Sequence, residues 1–215
     1  MKSLKLAAHL CHLFAAALLF LFLYQAFTPE IGLTAGDRLF FAAAIAFLLA
    51  LGTALSVRIQ PDRRAYLWKR CLWLLFGCYL WNLVSVLFFD SYFGRGAIPS
   101  GFQSVNLIPF RTIFHYLLSS MSASTILINL LGNLCAFAPL GLFLPLLFPR
   151  LRTFLRYFLT VGLSVLLVEL LQVLTGLGIG DVDDWLLNVA GALLLHAFCR
   201  LPPVSRLLGR VTALL

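Results

Sequence analysis

Charge is scarce in this chain. Its 215 residues include 16 Lys and Arg but only 8 Asp and Glu, so 11% are charged, and 62% are hydrophobic. A soluble globular domain is about 25% charged and about 45–50% apolar. So few charges cannot cover a water-soluble monomer of this size, and the same apolar excess excludes intrinsic disorder. Paired cysteine motifs are also missing. Cys11, Cys71, Cys78, Cys135 and Cys199 are odd in number, all lie in apolar runs, and form no C-x-x-C. Neither a disulfide framework nor a zinc site is signalled, and the thiols read as small buried hydrophobes. His9, His12, His115 and His196 lack metal-ligand spacing, so no metal or cofactor is expected. The net charge of +8 is scattered in short runs between apolar stretches, with no basic face carrying stacking aromatics, which argues against nucleic acid as a partner. There is no internal repeat and no low-complexity tail.

What remains is an all-α polytopic membrane protein. A spanning helix needs about 20 mostly apolar residues, and six stretches meet or approach this: 6–27, 39–57, 71–89, 126–148, 157–176 and 185–201. The first follows Lys2 and Lys5 and is longer than the usual signal-peptide core of about 7–15 residues, so it reads as a retained helix. The last is the shortest, with Trp185 placed to act as an interfacial anchor.

Basic residues alternate between the connections. Lys2, Lys5, Arg58, Arg63, Arg64, Lys69, Arg70, Arg150, Arg152, Arg156, Arg200, Arg206 and Arg210 fall on one side, against Arg38, Arg95 and Arg111 on the other. The positive-inside rule then predicts that both termini are cytoplasmic. Most of the acids, including Glu30, Asp37, Asp90 and the Asp181, Asp183, Asp184 trio, fall outside.

Polar residues at membrane depth are the informative ones, because each must find a partner or a wet cavity. Glu169 sits in LSVLLVELLQVLTG with no compensating charge nearby. It costs about 2.5–3.5 kcal/mol on insertion, and roughly a dozen apolar neighbours at about −0.3 to −0.6 kcal/mol each offset that. Gln172, Gly162 and Gly176 share its face, which therefore suits the bundle interior. On the fourth span Asn129, Gly132, Asn133, Ala136 and Leu140 form a similar stripe, and Pro139, Gly141 and Pro145 predict a kink beyond it. Asp184, Asn188 and Gly191 follow helical spacing at the start of the sixth span, one turn after Asp181; a capped helix start explains these acids as readily as a ligand site does. At about 1.5 Å per residue, Glu169 and Asn133 lie roughly 10 Å below the outer ends of their spans, Asn188 about 5 Å, and Asn82 of the third span about 10–12 Å. These polar groups would share the outer leaflet. Arg111 could pair with Glu169 or meet an anionic headgroup.

The motifs NLIPFR (106–111), NLLGNLCAFAPLG (129–141), ELLQ (169–172) and DVDDWLLNVAG (181–191) resemble, in order and rough spacing, those of the VanZ-like family. The resemblance covers about residues 105–195 and leaves residues 1–90 as three variable helices of a single membrane domain spanning 1–215. It implies a multi-pass protein of the cell inner membrane; the founding member of the family confers low-level resistance to teicoplanin, a lipoglycopeptide antibiotic. It carries over Asn106, Pro109, Arg111, Asn129, Asn133, Pro139, Gly141, Glu169, Gln172, Asp181, Asp184, Asn188 and Gly191. One departure is Gly178, where the family usually has an arginine; if that arginine binds phosphate or pairs with an acid, either Arg111 or Arg95 replaces it here or the activity is lost.

The expectation is an outer-leaflet polar pocket for a lipid or glycolipid headgroup, with membrane lipids or a lipid-linked envelope precursor as partner. In an enzymatic version Glu169 is the general acid or base, with Asp181 and Asp184 positioning a substrate hydroxyl or a cation. Asn106, Asn129, Asn133, Gln172 and Asn188 would bind the headgroup and Arg111 its phosphate. The alternatives are a small transporter or flippase with Glu169 as relay, and a non-enzymatic assembly protein.

Overall fold

A computed structural model of the chain describes residues 2–26, 35–89, 105–119 and 122–212. Glu30, Asp90 and Arg95 lie outside the described residues. The described residues are overwhelmingly helical: α1 (Lys2–Ala26), α2 (Ala35–Ile59), α3 (Arg64–Val84), α4 (Arg111–Leu118), α5 (Ala123–Ala136), α6 (Leu140–Leu147), α7 (Phe154–Thr175), α8 (Val182–Arg200) and α9 (Pro202–Thr212). Six helical stretches are long and apolar enough to cross a membrane: Lys2–Gln25, Gly36–Ile59, Pro61–Phe88, Ala123–Leu147, Phe154–Thr175 and Val182–Arg200. Each overlaps one of the six runs expected from the sequence. Two two-residue strands, β1 (Val105–Asn106) and β2 (Gly180–Asp181), form a short parallel pair.

Two compact units are formed, Met1–Asn82 with Leu207–Leu215, and Leu83–Arg206. In the first, α1 and α2 pack along their lengths, and Ala15, Phe22, Ile45, Leu49 and Cys71 make a core flanked by Trp68 and Trp81. Asn82 belongs to this unit. In the second unit α8 packs against α5, α6 and α7, with α6 almost wholly buried. All five cysteines are free; Cys71 is buried, whereas Cys135 is exposed and so is not the buried hydrophobe expected.

The fourth span is broken rather than kinked. Pro139 cannot donate a backbone N–H, α5 ends at Ala136, and Phe137–Pro139 make a turn before α6 begins at Leu140. The expected stripe on α5 is also displaced. Gly132 is exposed, and the side facing α8 carries Asn133 and Leu134. The cause is a close crossing: a Cβ on Gly191 of α8 would lie 1.7 Å from the Leu134 carbonyl oxygen.

On α7 the usual polarity of a helix in water is inverted. Leu155, Leu159, Leu163, Leu166, Leu167, Leu170, Leu171 and Leu174 are exposed, while Gly162, Glu169 and Gln172 are buried. A helix that hides its polar residues and shows leucine is built for lipid. Trp185 is not a free interfacial anchor: its indole Nε1 donates to the Gly162 carbonyl at 2.9 Å, tying α8 to α7. Nearer the other end, the Tyr157 hydroxyl donates to the Ala192 carbonyl at 2.9 Å, and its ring stacks on the buried His196 at 4.0 Å.

Candidate functional site: a buried acidic cluster at one end of α7 and α8

The segment between α7 and α8 does not project away from the helices. Gly176 adopts a left-handed conformation (φ 67°, ψ 15°), and Leu177 N–H donates to the Gln172 carbonyl at 3.0 Å, closing α7. The chain then runs back along α7. Gly178 lies against Gln172, Gly180 against Val173, and the Asp181 N–H reaches Glu169 Oε2 at 3.4 Å. The aspartates expected outside the membrane therefore begin near the level of Glu169.

Strand β1 pairs with β2, Val105 opposite Gly180 and Asn106 opposite Asp181, which brings the NLIPFR segment to the same place. Asn106 Nδ2 donates to Asp181 Oδ1 at 3.0 Å and to Thr112 Oγ1 at 3.1 Å, while its Oδ1 accepts from Ile108 N–H at 3.2 Å. Asp181 also accepts from the Thr112 hydroxyl at 2.5 Å and, as the cap of α8, from Asp183 N–H at 2.9 Å.

Asp183 is fully buried and serves a different helix. Its carboxylate accepts from the N–H groups of Phe110 (2.5 Å), Thr112 (2.7 Å) and Ile113 (3.2 Å). These are the orphan donors at the start of α4, whose own cap residue, Phe110, has no side-chain acceptor and is held at φ 65°. A carboxylate there is favoured by the helix dipole as well. Asp184, on the neighbouring position of α8, accepts from Asn133 Nδ2 across the α5 interface. One turn on, Asn188 is 3% exposed, and its Oδ1 has no hydrogen-bond partner among the described residues.

The structure thus gathers Asn106, Asn133, Glu169, Asp181, Asp184 and Asn188 in one region of the second unit. Three expected binding residues point elsewhere. Asn129 turns its amide onto the Thr125 carbonyl of its own helix at 3.0 Å. Gln172 donates to the Leu87 carbonyl, in the π-helical turn Ser85–Phe89, at 3.1 Å. Arg111 is exposed at the first position of α4, with no side-chain partner among the described residues, so it does not pair with Glu169. At Gly178 an added Cβ would lie 3.0 Å from Gln172 Cβ, so a larger side chain there would have to displace Gln172.

Sequence reading missed Thr112, Tyr116 and the role of Asp183. Burial first, then the negative charges of Asp184 and Asp181, hold the Tyr116 phenol above its ordinary pKa, which places it beside the cluster. Thr112 directly follows the NLIPFR motif, but only the strand pair reveals its proximity to Asp181. Among the described residues no three His, Cys, Asp or Glu side chains are grouped to hold a metal ion.

A family model described as VanZ/LLP1 matches residues 76–203. The chain belongs to the VanZ/LLP1 family. The match exceeds the 105–195 expected from the motifs and takes in every residue of the acidic cluster. Within this VanZ-family chain the four motifs are the parts that build the cluster: NLIPFR and DVDD form the strand pair and both caps, NLLGN supplies Asn133, and ELLQ supplies Glu169. No curated protein and no solved structure matches the chain.

Proposed function

We propose that this VanZ-family protein acts at the cell envelope by binding the donor-rich headgroup of a membrane lipid or glycolipid, through hydroxyl or ammonium groups, at the cluster around Glu169, Asp184 and Asn188. The observation that carries this reading is the Asn188 carbonyl oxygen, in a residue only 3% exposed and lacking a donor among the described residues, one turn from the carboxylate of Asp184. A buried acceptor without a partner costs about 1–3 kcal/mol, which a ligand hydroxyl or ammonium would recover. The neighbouring acceptors favour the same ligand class, because carboxylates attract donors and repel phosphate. A phosphate on the same lipid would instead meet Arg111 at the exposed start of α4.

The basic residues at the opposite connections support an outward-facing cluster in the cytoplasmic membrane. The binding reading is favoured over a transporter because the buried residues of α7 between Glu169 and Tyr157 are Val165, Gly162 and Val161, about three turns with no ionisable side chain to carry a proton or substrate onward. Asp181 and Asn106 are hydrogen-bonded to each other and to Thr112, so they act as the frame of the site. Glu169 and Asp184, which accept from Asp181 N–H and Asn133 Nδ2, are carboxylates with lone pairs enough to accept a ligand donor as well, and a link to teicoplanin resistance would run through the lipid they select.

The test is a deletion strain complemented with wild type, Glu169→Gln or Asp184→Asn at matched protein level, with envelope lipids profiled and teicoplanin susceptibility measured. The expected result is a lipid species altered by the deletion and restored by the wild type alone. Full restoration by both variants would leave the carboxylates without a role and overturn the reading.

A further inference from the structure

Outside the six candidate spans, the segment from β1 through α4 shows an apolar surface that the fold does not cover. Phe114, Leu117 and Leu118 are 59%, 58% and 84% exposed, and Leu107, Ile108 and Phe110 before them are exposed by 53% or more. The opposite face of α4 is turned inward: Thr112 and Ile113 are tied to Asp181 and Asp183, and Tyr116 feels the charges of Asp184 and Asp181. In water such a surface would be a liability. Its depth says what covers it. Glu169 lies six residues inside the end of α7, about 9 Å at roughly 1.5 Å per residue. The Asp181 N–H is 3.4 Å from Glu169 Oε2, and Asp183, two residues later, holds the first turn of α4 through three backbone N–H groups. The start of α4 is therefore fixed below the end of a membrane span.

We infer that β1–α4 is a seventh membrane-embedded element, a non-spanning helix seated in the lipid at the Glu169 end of the bundle, with phospholipid as its occupant. Its eight residues are far too few to cross a bilayer, which takes about 20. They suit a helix lying at the interface with one face in the acyl chains and a polar edge toward the headgroups. Phe114, Leu117 and Leu118 contact acyl chains, and exposed Arg111 and His115, four residues apart on one edge, meet lipid phosphate. Asp183 is the clamp that holds the helix at this depth. The inference stands independently of headgroup binding at the acidic cluster.

A photoreactive benzophenone amino acid placed at Leu117, and separately at Tyr116, in the full chain tests this. Both proteins are reconstituted in vesicles of phosphatidylethanolamine and phosphatidylglycerol and irradiated, and adducts are read by mass spectrometry. Lipid adducts at 117 should exceed those at 116 several-fold, with the 116 probe reacting within the chain. Equal lipid yields at the two positions, or capture at 117 of another part of this chain or of a second protein, would overturn the inference. Should the 117 variant not fold, Leu118, the most exposed position of the helix, carries the probe with the same expected outcome.

Discussion

At the residue scale, adjacent acids in D-V-D-D do unlike work. Asp181 caps its own helix and joins Asn106 and Thr112; Asp183 caps α4 from a distance; Asp184 reaches α5. Asp181 precedes the helix in extended backbone, and Asp183 and Asp184 are successive helical positions about 100° apart, so the three carboxylates serve three directions. This arrangement has a measurable consequence at Tyr116, whose phenol is pushed above its ordinary value by burial and by Asp184 and Asp181. The unfolded chain would ionise this tyrosine near pH 10, and the folded chain holds the proton to higher pH. The stabilising difference is thus complete below about pH 10 and is lost as pH climbs through the folded value. Comparing phenolate absorbance of wild type with Tyr116→Phe should assign a titration above pH 10 to this residue. Asp184→Asn should move that titration downward; an unchanged titration would mean that the Asp184 charge does not reach the phenol.

At the element scale, the spans were legible because length and hydropathy alone define them: five of the six runs reappear within a few residues at each end, and the third begins ten residues earlier than expected because its helix continues through the basic stretch 61–70. The inward face of α7 was legible too, since Glu169, Gln172 and Gly162 share one side of the helix. The return of the 177–181 segment was not. It depends on a glycine closure at 176 and on pairing with a strand some 75 positions earlier in the chain, and neither leaves a periodic signal. The face of α5 was misplaced for a related reason: small and amide residues mark two possible sides, and the crossing at Gly191 selects the one with Leu134. That crossing predicts a contrast between two glycines. Gly191→Ala would drive a methyl into the Leu134 backbone, so it should exceed the roughly 1–3 kcal/mol typical of overpacking and abolish a stable protein in detergent. Gly132→Ala meets nothing within 4 Å. There the helix propensity of alanine, about 0.8–1.0 kcal/mol better than glycine, should leave thermal stability unchanged or raised. Equal losses at both positions would contradict the close approach of α5 and α8.

At the scale of the whole molecule, charge and chemistry separate toward opposite ends of the spans in the second unit. The acidic cluster lies where α7 ends and α8 begins, and Arg150, Arg152, Arg156 and Arg200 lie at the other ends of these helices, where Arg200 donates to the Arg152 carbonyl at 2.6 Å. Basic residues resist translocation, so this end should face the cytoplasm, together with both termini. Fusions after residue 215 test that expectation: a fluorescent protein there should mature and fluoresce, whereas alkaline phosphatase, active only after export, should be silent. Phosphatase inserted at 178, between α7 and α8, should behave in the opposite way. The reverse pattern would turn the carboxylates of Glu169 and Asp184 toward the cytoplasm, where a lipid of the outer leaflet could not reach them. The assignment of an envelope ligand would then fail, although the cluster, its caps and the lipid-facing α4 would keep their geometry.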